Sequence, residues 1–251
     1  MTVFITVANQ KGGVGKTTTA VNLAHGLALR GHKVTLVDVD PQGQCAALLG
    51  FEQEPGVFNI LVSEIPLNQV VRASDRNNLS LILGDKKTAI AQTVLSVQRS
   101  PISYMKEKLN DSAAREIDFF VLDSAPSAGD LQSQALWAAD KVLIPCATDF
   151  LAMDGVFSIM DTLKGLKKEH QWKGEVIGIV PTFFDDVTRE SKATAKDLHK
   201  HFNNLVLDPI HRATVLRECA AEGKTIFEIA CTSRSAKEYA ALVEYVWKCC
   251  Q

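Results

Sequence analysis

The sequence predicts an α/β fold in which a mostly parallel, twisted sheet carries helices on both faces. Three observations support this class: six apolar segments of strand length, helix-length segments between them, and a glycine-rich stretch directly after the first strand. Strands that alternate with helices build parallel sheets, and strands buried on both faces are apolar almost throughout. The chain has 251 residues, 46% of them hydrophobic, and we expect one domain over residues 1–251.

The apolar segments and the segments between them predict the following strands and helices, given in chain order. The strands are rich in β-branched residues and cover 3–8, 33–39, 79–84, 118–123, 141–147 and 175–183. The helices cover roughly 16–30, 45–50, 102–110, 131–139, 154–169, 188–202, 213–221 and 235–249. The segment 51–78 has no clear period, and we expect an irregular excursion at the surface there.

The composition and charge of the chain limit which classes of protein it can belong to. There are 27 Lys and Arg against 29 Asp and Glu, a formal charge of −2. Any nucleic-acid contact therefore has to come from a local basic patch. No apolar run approaches the roughly 18 residues of a membrane span, and the N-terminal stretch MTVFITVANQ lacks the features of a signal peptide. The six cysteines form no C-x-x-C pair, which favours reduced thiols in the cytosol.

The stretch NQKGGVGKTTTA (9–20) predicts a phosphate-binding loop. The common pattern G-x-x-x-x-G-K-[ST] would place its first glycine at position 10, where Gln10 stands, so this is a variant, K-G-G-x-G-K-T-T. Glycines let backbone N–H groups converge on phosphate oxygens, and the helix that follows turns its positive end to the same anion. We expect Lys16 to reach the β- and γ-phosphates, the Thr17 hydroxyl to bind Mg²⁺, and Thr18 to contact the α-phosphate. The loop residues predicted to bind nucleotide are Gly12, Gly13, Val14, Gly15, Lys16, Thr17 and Thr18.

Three acidic residues lie at or just after the ends of predicted strands. Asp123 ends the apolar run DFFVLD, where a carboxylate holds Mg²⁺ in phosphate-loop proteins, although an aspartate at this point could instead cap a helix. Asp38 and Asp40 flank Val39, so both would point to one face of a straight strand. The sequence thus predicts a carboxylate cluster beside the phosphate loop.

The stretch KGGVGKTTTAVNLA (11–24) resembles the deviant Walker-A ATPases, a family that includes the ParA partition proteins, MinD and the nitrogenase iron protein. Similar blocks follow in the family's order at 36–44, 119–127, 142–155, 179–191 and 218–239. The short ParA type is the most similar, because no helix-turn-helix domain precedes the phosphate loop. The resemblance implies a P-loop NTPase fold, with ATP and Mg²⁺ as ligands, and ATP hydrolysis with weak basal activity.

The resemblance also implies roles for single residues. In relatives, the lysine corresponding to Lys11 reaches across a homodimer to the phosphates of the other subunit's nucleotide. Such a second cation would stabilise transition-state charge, so Lys11, Lys16 and Asp40 are the implied catalytic residues. Asp40 resembles the residue that positions the attacking water and Asp38 one that supports the Mg²⁺ shell, and these two assignments could be exchanged. Thr17, Asp38 and Asp123 make up the implied metal set.

The adenine pocket is implied by the same resemblance. In relatives, a Pro-Thr pair after the sixth strand and a segment before the last helices surround the base. The matching positions here are Pro181 and Thr182, and Pro209 and His211 within 208–212. His211 stands where many relatives have a proline, which puts its backbone contact to adenine in question.

The expected function is that of a ParA-type positioning ATPase. Its ATP-bound homodimer would bind DNA nonspecifically through a basic patch, and a ParB-like or cargo-adaptor protein would stimulate hydrolysis. The cargo would be a plasmid, a chromosome region or a protein assembly such as a carboxysome, and the location cytoplasmic and nucleoid-associated, without stable membrane insertion. The candidate DNA contacts are Arg212, Arg217, Lys224 and Arg234.

Three alternatives stay open at this point. A MinD-like membrane ATPase would use a C-terminal amphipathic helix, but the apolar stripe of 235–249 is also typical of core packing. An iron–sulphur reductase would need paired cysteines, and the block after Asp123 contains none. An ATP-binding scaffold without turnover would leave the site residues in place but show no hydrolysis.

Overall fold

A seven-stranded sheet forms the centre of the described structure. The computed structural model describes residues 2–110, 116–149 and 152–251. The strands are β1 Val3–Val7, β2 Val34–Asp38, β3 Arg72–Ala73, β4 Leu79–Ile82, β5 Phe119–Asp123, β6 Lys141–Ala147 and β7 Glu175–Thr182. Their order is β3-β4-β2-β5-β1-β6-β7, and every neighbouring pair is parallel except β3 with β4. The predicted fold class is confirmed.

Helices cover both faces of this sheet. Within the described ranges they are α1 Lys16–Leu29, α2 Gln44–Leu49, α3 Gly56–Leu61, α4 Leu67–Val70, α5 Lys87–Gln98, α6 Tyr104–Leu109, α7 Asp130–Ala138, α8 Ala152–His170, α9 Arg189–Phe202, α10 Thr214–Ala221, α11 Ile226–Ile229 and α12 Arg234–Cys249. A short 3₁₀ turn, Asn203–Leu205, follows α9. Two residues of the family-like block 142–155, at 150 and 151, lie outside the described residues.

The central strands are apolar on both faces because helices bury both. On β5, Phe119 and Val121 join the cluster formed with α1 and α12, whereas Phe120 and Leu122 join the cluster formed with α3 to α7. A third cluster fills the space between β6, β7, α8 and α9. This burial on two sides explains why the strands have no polar alternation.

The expectation of an irregular surface excursion over 51–78 is wrong. This segment contains α3, α4 and the antiparallel strand β3, and Val57, Ile60 and Leu67 are each at most 2% exposed. Helix α5 and the four-residue helix α11 were also not predicted. These elements are too short or too weakly periodic to recognise along the chain, and they are stabilised by packing on the sheet rather than by local propensity.

The C-terminal helix α12 is a core element. Tyr239, Leu242, Val243 and Val246 are buried in the cluster with α1, and Trp247 packs against it. The core-packing alternative for this apolar stripe is therefore confirmed. In the described part of the chain, no helix combines the length and the hydropathy needed to cross a bilayer. None of the six cysteines, all within the described ranges, is paired in a disulfide.

The strand register places the predicted site residues next to one another. Asp123 at the end of β5 pairs with Val7 at the end of β1 and with Asp38 at the end of β2. The carboxyl ends of parallel strands share one edge of a sheet, and ligands bind there where neighbouring connections diverge. The loop after β1, which carries the glycines, leaves from this edge.

Candidate nucleotide-binding site

The loop between β1 and α1 depends on glycine for its shape. Gly13 and Gly15 have φ values of +72° and +82°, which residues with a Cβ rarely adopt. A Cβ at Gly12 or Gly13 would meet nothing within 4 Å, so the space in front of this part of the loop is open. Helix α1 starts at Lys16, directly after Gly15, and its N-terminal N–H groups favour an anion in that space.

The two lysines of the loop have different surroundings. Lys16 is 7% exposed, and its Nζ donates to the carbonyl of Lys11 at 2.8 Å. Burial lowers the pKa of Lys16, while the carboxylates of Asp123 and Asp40 oppose that shift. The Lys11 side chain is 28% exposed, and its Nζ pairs with Asp149 Oδ1 at 2.5 Å. Lys16 therefore lies inside the loop, whereas the Lys11 ammonium is held at the surface.

Asp123 is a buried carboxylate with one unsatisfied oxygen. It is 1% exposed, and its Oδ1 has no hydrogen-bond partner among the described residues. Burial raises its pKa to about 7, although the nearby Thr17 hydroxyl and Lys16 ammonium oppose the shift. A buried anion without compensation is costly, and a bound cation removes that cost. The unsatisfied oxygen and the open loop beside it fit a Mg²⁺ ion bound together with a phosphate.

Asp38 and Asp40 shape the loop after β2. Asp38 is fully buried; its Oδ1 accepts from the Asp40 amide at 3.1 Å and its Oδ2 from the Cys45 amide at 2.9 Å. Burial and the neighbouring Asp123 raise the pKa of Asp38 well above its usual range. Asp40 is 9% exposed and accepts from the Gln42 amide at 2.9 Å. Asp38 thus holds the loop in place, and Asp40 is the more accessible of the two carboxylates.

A cavity of about 210 Å³ opens beside the loop. Its lining is mostly apolar, with polar and charged groups at its edge, and includes Thr18, Leu48, Thr182, Phe183, His211, Arg212, Leu216, Arg217 and Tyr239. Phe183 has a strained φ of +52°, and its ring lies 3.5 Å from where a Cβ on Gly15 would be. Sequence reasoning did not name Phe183; its only signal is the Phe-Phe pair directly after Pro181-Thr182.

The residues predicted around the base are only partly brought together. Thr182 donates from its hydroxyl to the Val14 carbonyl at 2.8 Å and so supports the phosphate loop. The Pro181 carbonyl accepts from the Ile210 amide at 2.8 Å. Pro209 lines a separate cavity of about 300 Å³ next to α12, not the cavity beside the loop.

His211 lines the cavity but is held by Glu238, Asp186 and Arg234. Its amide donates to Glu238 at 3.0 Å and its Nδ1 lies 2.7 Å from the same carboxylate, while its Nε2 lies 2.5 Å from Arg234 Nη2 and 3.2 Å from Asp186. Its imidazole is therefore engaged on both nitrogens by the protein.

The four candidate DNA contacts are exposed but differ in their partners. Arg234 is paired with Asp186 and Glu238, and Lys224 lies 3.4 Å from Glu222. Arg212 lies over the Phe183 ring at 5.6 Å. Within the described ranges, neither Arg212 nor Arg217 has an acidic partner at salt-bridge distance, and both line the cavity beside the loop.

A parallel sheet, a glycine loop that leads into a helix, and a buried carboxylate on the adjacent strand define this protein as a P-loop NTPase. A family model described as an AAA domain matches residues 2–175. The chain is similar to chromosome-partitioning ATPase Soj of Thermus thermophilus, at 36% identity over 243 residues that cover 96% of this chain and 94% of that protein. The chain therefore belongs to the Soj/ParA family of partitioning ATPases, and the resemblance predicted from its motifs is confirmed.

Two solved structures share the fold. Apo McdA of Cyanothece superposes with a TM-score of 0.89 at 21% identity, over 98% of this chain and 100% of that one. Cobyrinic acid a,c-diamide synthase of Mycobacterium smegmatis with bound ADP and magnesium gives a TM-score of 0.84 at 26% identity, over 99% of this chain and 95% of that one.

Proposed function

We propose that this protein is an ATPase that dimerises when it binds Mg-ATP, binds DNA without sequence preference in that state, and positions or segregates an intracellular cargo. A partner protein would stimulate hydrolysis and so release the dimer. The observation that carries the proposal is the placement of two lysines in one phosphate loop. Lys16 is buried within the loop, while the Lys11 ammonium is paired with Asp149 at the surface.

Each site residue has a separate role in this proposal. Lys16 binds the β- and γ-phosphates, and Thr17 and Asp123 would hold Mg²⁺, which when bound neutralises phosphate charge. Asp40 orients the attacking water, since it is the more exposed of the two carboxylates after β2. Lys11 of the second protomer supplies a further positive charge to the transition state.

The cavity beside the loop supports adenine as the base. Phe183 and Leu216 offer apolar walls for a flat ring, and Thr18 leads from the cavity to the phosphate loop. Because Glu238, Asp186 and Arg234 engage both imidazole nitrogens of His211, the walls of the cavity rather than this imidazole would hold the base.

The DNA contact would lie around α10. Arg212 and Arg217 are exposed cations without an acidic partner at salt-bridge distance among the described residues, and Lys224 adds a third charge nearby. Arg234 shares its charge with two carboxylates and would contribute less. Dimerisation doubles this patch, and affinity that depends on phosphate contacts falls steeply with salt.

The test compares size and DNA retention of the purified protein with Mg-ATP, Mg-ADP and no nucleotide. We expect a dimer that retains DNA with Mg-ATP only, and loss of both in Lys11→Ala. The matched control is Lys33→Ala, another surface lysine paired with an acid, which should behave as wild type. A protein that stays monomeric at saturating Mg-ATP would refute the proposal.

A further inference from the structure

A buried arginine joins the ends of two helices that are far apart in the chain. The Arg76 side chain lies between β3 and β4 and is 8% exposed. Its Nη1 donates to the Leu49 carbonyl at 3.2 Å, its Nη2 to the Gly223 carbonyl at 2.8 Å, and its Nε to Glu228 Oε2 at 3.0 Å. Because an unpaired buried charge is costly, these three partners fix the guanidinium in place.

The first of the two helices, α2, is tied to the loop after β2. The Gly43 amide donates to the Asp40 carbonyl at 2.9 Å, and the Cys45 amide donates to Asp38 Oδ2 at 2.9 Å. Helix α2 has six residues and ends at Leu49. It is therefore so short that a displacement of this loop moves the Leu49 carbonyl with it.

The second helix, α10, takes its position from its neighbours. The structure describes all eight of its residues, and Cys219 is the buried one among them. The helix packs mainly on α2 and α11. Glycines let the ends of α2 and α10 meet, since a Cβ on Gly223 would lie 2.5 Å from the Gly50 Cα. Arg76 closes this contact through both helix ends.

Helix α11 is anchored on the other side by α1. The Ile226 amide donates to Asn22 Oδ1 at 3.0 Å, and His25 Nδ1 lies 2.6 Å from Thr225 Oγ1. Gly223, with φ +65°, makes the turn between α10 and α11. Helix α10 therefore lies between a fixed neighbour, α11, and a neighbour that follows the loop after β2.

We propose that Arg76 is a positioning residue that transmits the nucleotide state of the loop after β2 to α10, and so to the DNA contact at Arg217. This rests on the function proposed above. When Mg-ATP orders the loop at Asp40, α2 carries α10 with it through the Leu49 and Gly223 carbonyls, and α10 pivots on α11. The coupling acts within one chain, and it is reciprocal, so bound DNA raises the affinity for ATP.

The direct test is amide hydrogen exchange with and without a nonhydrolysable ATP analogue and Mg²⁺. In wild type we expect exchange to slow together in residues 44–49 and 214–221. Arg76→Lys keeps the charge, but one ammonium cannot hold both carbonyls in the same geometry. The response at 214–221 should then fall about 2- to 30-fold, as for residues that link two sites, while the response at 44–49 stays. The control is Arg72→Lys, the same change at an exposed residue of β3 paired with Glu54.

Nucleotide affinity with and without DNA gives a second measurement. DNA should lower the dissociation constant of the analogue in wild type, and this ratio should be about 2- to 30-fold smaller in Arg76→Lys. A merely structural role would leave the ratio as in wild type.

The outcomes separate this inference from the proposed function. A wild-type response at 44–49 without one at 214–221 would overturn the inference and leave the ATPase intact, as would an Arg76→Lys protein that behaves as wild type in both measurements. No response to nucleotide in either segment would contradict the nucleotide site as well. Since the exchange of wild type is itself decisive, the test does not depend on the folding of the variant.

Discussion

The contact between Lys11 and Asp149 predicts that this protein is held back from dimerising. In the described structure the Lys11 ammonium is paired with an acid of its own chain at 2.5 Å. If Lys11 must reach a second protomer's nucleotide, this pair has to break in each subunit. Asp149→Asn removes the charge and keeps the shape, so it should strengthen the ATP-dependent dimer.

The expected change in the dimer dissociation constant follows from the exposure of the Lys11 and Asp149 side chains. The two side chains are 28% and 53% exposed, so this is a surface ion pair, and such pairs stabilise by about 0.2–1 kcal/mol. Two pairs break per dimer, which gives about 0.4–2 kcal/mol. At an RT of about 0.59 kcal/mol, the dimer dissociation constant should fall about 2- to 30-fold. Salt should reduce the difference, because exposed charges are screened.

The assay is sedimentation equilibrium with a nonhydrolysable ATP analogue and Mg²⁺, at low and high salt. Asp154→Asn makes the same charge change at the start of α8, at an exposed residue with no ion pair within the described ranges, and should leave the dimer unchanged. An Asp149→Asn dimer as weak as wild type or weaker would refute the reasoning.

Three further predictions concern the site and its support. Asp40→Ala should bind ATP with little change while turnover falls about a hundredfold or more, measured by phosphate release and nucleotide titration; near-normal turnover would contradict the role of Asp40. Folding raises the pKa of Asp123 to about 7 from an ordinary value near 4, so the folded state binds the proton more tightly than the unfolded state does. The free energy of unfolding of the metal-free protein should therefore fall as pH rises from about 4 to about 7. Urea unfolding between pH 5 and 8 should show this slope in wild type and a flatter profile in Asp123→Asn; equal slopes would count against it. Gly26→Ala should lower the free energy of unfolding in urea by about 1–3 kcal/mol, because its Cβ would lie 2.4 Å from the buried Val243 side chain. Gly165→Ala, which has open space around it, should raise that free energy by about 0.5–1 kcal/mol. Similar values for both variants would show that packing at Gly26 is not limiting.

Local signals explain which parts of the fold could be predicted from the chain. Continuous apolar runs identified the six strands that are longest, because burial on both faces makes the run itself the signal. The helices α3, α4, α5 and α11 and the two-residue strand β3 were not identified. Their buried residues, such as Val57 and Leu67, are spaced without a clear period and are fixed by contacts with the sheet.

The sequence by itself determined the fold class, the phosphate loop and the family, because each depends on contiguous residues whose chemistry is local. The tertiary structure decided which distant groups meet: Lys11 with Asp149, His211 with Glu238, and Cys45 with Asp123. These pairs are set by strand register and by helix docking between segments up to 138 residues apart. No local pattern encodes such distances, so only the folded chain shows that the site contains a thiol and that its second lysine is held by an acid.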